Sequence, residues 1–103
     1  GGIEAVARFI HIARPRTDFK KLLLYTKQNG NRALAVRLGY LLETLRVSKV
    51  PKFILQELKR DANRVVTPLG EVSRWGKSGH VNTHWNVIEN VPIQNLLAEV
   101  EIA

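Results

Sequence analysis

The sequence predicts an α+β fold: about four amino-terminal helices packed on a small antiparallel β-sheet, with a short carboxy-terminal helix. Three observations carry this expectation. Leu34, Leu38, Leu41, Leu42 and Leu45 recur at the spacing of a single helical stripe. After Asp61, β-branched and aromatic residues gather in short runs broken by Gly and Pro. Charge divides nearby: residues 1–60 hold 13 Lys/Arg against 4 Asp/Glu, a net +9, and residues 61–103 hold 3 against 5, a net −2.

Taken in order, residues 3–13 form the first helix, with Ile3, Val6, Ala7, Ile10 and Ala13 on one side and His11 off it. Pro15 disfavours helix at Arg14 and interrupts the pattern. Thr17 then caps a second helix over 18–28, whose inner face is Phe19, Leu22, Leu23 and Thr26; Lys20, Lys21 and Lys27 lie largely outside. Gly30 breaks the chain before Asn31, which caps the central helix over 31–45. On that helix Arg32, Gly39, Glu43 and Arg46 share a second face, where Gly39 admits a neighbouring backbone.

Only Arg46-Val47-Ser48 links the central helix to the next, so the two pack as neighbours. Ser48 caps this fourth helix and Pro51 sits in its first turn, where a missing N–H does no harm. Ile54, Leu55 and Leu58 form its buried side, with Phe53 at the border. Residues 64–68 read as a strand ended by Pro68, and 70–79 as an excursion with its tip at Lys77-Ser78-Gly79. In 80–88, Val81, Thr83, Trp85 and Val87 alternate with His80, Asn82, His84 and Asn86, the pattern of one half-buried strand. Residues 92–100 fit a terminal helix, although 100–103 equally fit a short strand.

One hundred and three residues suit a single domain with one modest core. Methionine is absent, initiator included, so we expect a fragment or processed piece of a longer protein. No apolar run approaches the roughly 20 residues of a membrane span, and the opening lacks the profile of a secretory signal. With no cysteine, disulfides and thiolate metal sites are excluded, and we expect a cytoplasmic location.

No catalytic constellation is legible, and no enzyme, cofactor or metal is expected. His80 and His84, four apart on a strand, share a face about 13 Å apart, too wide for one metal ion unaided. The carboxylates show no paired signature, Ser73 and Ser78 lack an activating context, and Gly76 and Gly79 are too sparse to cradle a phosphate. What remains is a binding or regulatory module. The two helices over 31–45 and 49–60, followed by a hairpin, match the order of a winged helix with Arg74 to Lys77 as the wing. The bland alternative is a hairpin that covers the helix pair as half of an α+β core.

Residues 33–43 (ALAVRLGYLLE) are similar to the Arg-Leu-Gly-Tyr/Phe-Leu-Leu-Glu signature of AbiEi-type antitoxins, transcriptional regulators of AbiE-like type IV toxin–antitoxin systems. Val66-Thr67-Pro68-Leu69 and then His84-Trp85-Asn86-Val87-Ile88-Glu89-Asn90 resemble that family's proline-leucine turn and Arg-Trp-x-Leu/Val-Ile-Val-Asn strand. The likeness covers about residues 20–97, the carboxy-terminal domain of such proteins. His84 stands where the family usually has arginine, Glu89 replaces an apolar residue, and the family's amino-terminal winged helix is not in this sequence.

The resemblance implies a regulatory antitoxin domain that contacts its own operator DNA. It implies a nucleotidyltransferase-like toxin as functional partner without direct binding. The residues expected to face phosphates are Arg32, Arg37, Arg46, Lys49, Lys52, Lys59 and Arg60, with Arg74 and Lys77 from the wing. Such contacts position the protein more than they specify a sequence. Leu38, Gly39, Tyr40, Leu42 and Trp85 are expected to bear the fold. The reading from a different class is a protein-interaction or dimerisation domain that docks a toxin or a second copy; a stand-alone winged-helix-like module is the other alternative.

Overall fold

Phe19–Gln28 forms helix α1, Arg32–Thr44 forms α2 and Lys52–Lys59 forms α3. The computed structural model describes residue 3 and residues 19–28, 32–45, 50–63 and 65–102. The expected first helix beyond Ile3, the caps at Thr17, Asn31 and Ser48, and the breaks at Pro15 and Gly30 therefore lie outside the described residues. In α2 the leucine stripe is the inner face: Leu38, Leu41 and Leu42 are buried, with Val36 and Tyr40 beside them. Helix α3 begins at Lys52, one residue later than a first-turn proline requires. Pro51 is its cap: at ψ 139° the backbone is still extended, and its carbonyl accepts from Ile54 N at 3.0 Å. Ile54 and Leu58 turn into the core, whereas Phe53 stays 44% exposed.

After α3 a single 3-10 turn, Arg60–Asn63, brings buried Ala62 back under α2. Three short strands follow: β1 (Thr67–Pro68), β2 (His80–Asn82) and β3 (Val87–Glu89). Their order is β1-β3-β2, with β3 parallel to β1 (Thr67 opposite Val87) and antiparallel to β2 (His80 opposite Glu89). The α+β class is as expected, but the sheet is mixed rather than antiparallel. The reason is the 70–79 excursion, which contains a short helix α4 (Val72–Trp75) and not a plain loop. It carries the chain across the sheet, so that the second arm of the hairpin, not the first, lies along β1.

Two further expectations change. Of the described residues 65–68, only Thr67 and Pro68 are strand; Val65 and Val66 are exposed, and Arg64 lies outside the described residues. Residues 80–88 are not one strand but a hairpin. Asn82 Oδ1 accepts from the backbone of His84 (3.0 Å) and of Trp85 (3.1 Å), which folds the chain back at 83–86. Asn86 completes the reversal in the left-handed region at φ 53°. Its amide also donates to the Ala62 carbonyl, tying the turn to the 3-10 segment.

The terminal helix α5 spans Ile93–Ile102, which excludes a strand over 100–102. Its Leu96 is buried and Ile93 packs on the core, but Leu97 is exposed. No helix among the described residues is long and apolar enough to cross a membrane.

The core joins the two halves through Trp85, which is 1% exposed. A methyl group built on Gly39 would lie 2.2 Å from Trp85 Cζ3 and 2.3 Å from Cη2. Gly39 thus seats an indole, not the neighbouring backbone expected from the sequence. Helix α2 accepts a residue of low helix propensity because the missing Cβ is the space the ring occupies.

Candidate nucleic-acid interface

Because Trp85 is anchored on Gly39, its neighbour His84 is presented outward, toward α3. The exposed side of that helix carries Lys52, Gln56 and Lys59 at i, i+4 and i+7, opposite the buried Ile54 and Leu58. The Lys59 ammonium approaches His84 Nδ1 at 3.1 Å, and His84 Nε2 lies 3.5 Å from the Glu43 carboxylate of α2. An ammonium can only donate, so Nδ1 accepts and the ring proton sits on Nε2, facing Glu43. Glu43, Lys52, Leu55, Gln56, Lys59, His84 and Trp85 together line a shallow cavity of about 220 Å³. The indole N–H of Trp85 is buried without a hydrogen-bond partner among the described residues.

The nine cations expected at a phosphate surface fare differently. Lys52 and Lys59 are brought together at the cavity. Arg60 is exposed and sits 3.4 Å from Glu57, which Lys27 also pairs at 2.9 Å. That hydrogen bond from Lys27, followed by the nearby Arg60 charge, holds the Glu57 carboxyl below its usual range. Arg32 is exposed at the start of α2. Arg46 and Lys49 lie outside the described residues.

Arg37 has a structural task. Its Nε donates to the Pro68 carbonyl at 2.9 Å, and burial lowers the guanidinium pKa. Thr67 and Leu69 turn their N–H groups toward β3, so Pro68 faces the outer edge of the sheet. That edge has no N–H at Pro68, and Arg37 occupies its carbonyl; both features oppose strand addition.

Arg74 and Lys77 do not form a wing. Arg74 belongs to α4, its guanidinium 4.7 Å from the centre of the Trp75 ring, and Lys77 is exposed in the loop beyond it. The hairpin lies later, over 80–89, and its turn is docked on α2 and α3 rather than projecting. The reason is local: Gly76 at φ 77° ends α4, and the reversal itself is made by Asn82 and Asn86.

His80 and His84 do not share a strand face. His80 opens β2 and its Nδ1 lies 2.8 Å from Glu89 Oε1, whereas His84 is in the turn beside Glu43. Among the described residues no group of three or more His, Asp or Glu side chains converges. Glu89 also accepts from the Tyr40 hydroxyl at 2.5 Å, which fastens β3 to α2. Burial, then the Glu89 hydrogen bond, pushes the Tyr40 phenol well above its ordinary range. The same hydrogen bond is the first cause of the lowered Glu89 carboxyl pKa, with His80 adding to it. Tyr40 therefore turns its hydroxyl inward, to a carboxylate of its own chain.

His84 was not legible as the partner of Lys59, nor Glu43 as the residue that meets His84 at the same cavity. They lie 25 and 16 positions from Lys59 in the chain, and only the hairpin turn brings them together. The available signal was the pair Asn82 and Asn86 bracketing His84-Trp85, which marks a reversal. No family model, curated protein or solved structure matches this chain.

Proposed function

We propose that this chain is a DNA-contacting regulatory domain of the AbiEi antitoxin type, which holds phosphates on the exposed face of α3 and performs no reaction. The observation that supports it best is the placement of Lys52 and Lys59 beside Gln56 on a helix whose other side is anchored in the core. A rigid cationic helix face pre-pays the ordering that phosphate contact requires. The net +9 of residues 1–60 extends the attraction beyond that face. The sequence likeness over 33–43 and 84–90 supports the family reading: its Leu, Gly and Trp residues are the ones that pack α2 against the hairpin. In this reading the contacts fix the domain's register on its operator, and a nucleotidyltransferase-like toxin is the functional partner.

Charge reversal tests it. The Lys52→Glu, Lys59→Glu double variant is expected to weaken binding to operator duplex by at least about 10-fold at moderate salt, with an unchanged circular dichroism spectrum. Unchanged affinity in a folded variant contradicts the proposal. A second reading, docking of a toxin or a second copy, draws on Leu24 (58% exposed) and Phe53. It prevails if Leu24→Ser, Phe53→Ser abolishes a protein complex while DNA binding is absent throughout.

A further inference from the structure

The cavity beside α3 contains more than the lysine stripe requires. Helix α3 supplies Lys52, Leu55, Gln56 and Lys59, the hairpin turn supplies His84 and Trp85, and α2 supplies Glu43. Three separate elements meet there, so its geometry is fixed by the tertiary fold and not by one helix.

We propose that this cavity is a seat for a single phosphoryl group, an inference that rests on the phosphate-contact reading above and names where one phosphate is held. Lys52 and Lys59 supply the charge. His84 accounts for one of the three Lys59 donors and thereby aims the ammonium, which keeps donors for an anion. Gln56 adds a neutral amide donor at the same rim. Half-buried Leu55 offers apolar surface suited to a sugar rather than to a second charge, with the buried Trp85 ring as the floor beneath.

The volume sets the class of ligand. About 220 Å³ lies below the roughly 300 Å³ at which pockets for whole drug-sized ligands begin. The cavity therefore seats one phosphate with its sugar, and anything larger extends past its shallow rim. Glu43 provides an internal control, because its carboxylate faces the same space and opposes any anion there. The two signs of charge make opposite, checkable contributions. His84 is a positioning residue in this scheme: it acts on the phosphate through Lys59.

Two sources share this chemistry, the phosphodiester of a DNA strand and the phosphate of a free mononucleotide. The test follows the His84 ring resonances by NMR and duplex affinity by fluorescence anisotropy, at constant ionic strength, in the whole chain. The probes are inorganic phosphate, a 5′-mononucleotide and a random-sequence duplex; the variants are Glu43→Gln and Lys59→Gln. Glu43→Gln is expected to tighten duplex binding about 3-fold, the scale of one exposed charge contact. Lys59→Gln is expected to weaken it and to reduce the salt slope by about 1. Saturating His84 shifts with the duplex support the seat.

Shifts with phosphate or mononucleotide, but none with duplex, support the seat and overturn the DNA reading. Duplex binding that is salt-dependent yet indifferent to both substitutions overturns the seat and leaves the DNA reading standing. No His84 response to any of the three probes also overturns the seat.

Discussion

The helical half and the sheet-bearing half of this molecule are held in shape by different means. In α2 and α3 the apolar stripe decides what is buried, and the polar residues are left to face outward. In β1 to β3 the strands are two or three residues long, too short to bury much on their own. Their arrangement is set instead by polar side chains that bond to backbone. Asn82 makes the turn, Asn86 ties it to Ala62, and Asn90 closes the excursion that holds α4. The difference teaches that a small sheet can be specified by amides where hydrophobic area is scarce, and that it then depends on the helices for its anchor.

The largest expected effect strikes the joint between the halves. Gly39→Ala places a Cβ inside the Trp85 ring contact and is expected to cost about 3 kcal/mol, the upper end of ordinary overpacking. Thermal or urea unfolding measures it. A variant as stable as the parent breaks the comparison, because the sheet would then not depend on that seat.

Asn90→Ala comes next. The buried amide accepts from Gly70 N at 2.8 Å and donates to the carbonyls of Gly70 and Gly76, each at 2.9 Å. Removing it leaves one buried donor and two carbonyls without that partner, a loss of about 2–3 kcal/mol. Denaturant titration checks the size. Hydrogen exchange sharpens the contrast, because faster exchange is expected at Gly70 while the α2 amides remain protected.

Tyr40→Phe is smaller, about 1 kcal/mol near neutral pH from the single hydrogen bond to Glu89, and it changes the pH profile. The folded Glu89 carboxyl is held below its ordinary value, first by Tyr40 and then by His80. Its stabilisation is therefore complete above the unfolded pKa and is lost as pH falls through the folded one. Tyr40→Phe removes the first cause, so the stability lost on acidification is expected to shrink. An unfolding series across the carboxylate range reads this directly. An unchanged acid limb contradicts the assigned coupling.

The smallest effect is expected at the Lys27–Glu57 pair on the surface between α1 and α3. Lys27→Gln should leave the unfolding midpoint nearly unchanged, because exposed ion pairs gain little in water. A clear drop in that midpoint would show that α1 depends on charge more than on packing.

The same division explains what the sequence disclosed. The α2 stripe and the buried side of α3 were legible because a helix repeats its inward face every three to four residues. The 80–88 run misled because a hairpin with Asn at both shoulders also alternates; the reversal depends on Asn82 bonding two residues ahead, which periodicity does not register. The parallel pairing of β1 with β3 was hidden for a related reason, since it depends on how α4 carries the chain over the sheet. At the candidate interface, Lys52 and Lys59 were legible as one helix face. Arg37 was not legible as a clamp on Pro68, nor His84 as the partner of Lys59, because both pairs join residues distant in sequence through folded geometry.

The most direct measurement is the slope of log K against log salt for the wild-type chain on duplex DNA. A slope between about −2 and −4 is expected if α3 and its surroundings hold a few phosphates, at about −0.9 for each one neutralised. A slope indistinguishable from zero, or no binding at low salt, contradicts the claim that this cationic helix face is built for a polyanion.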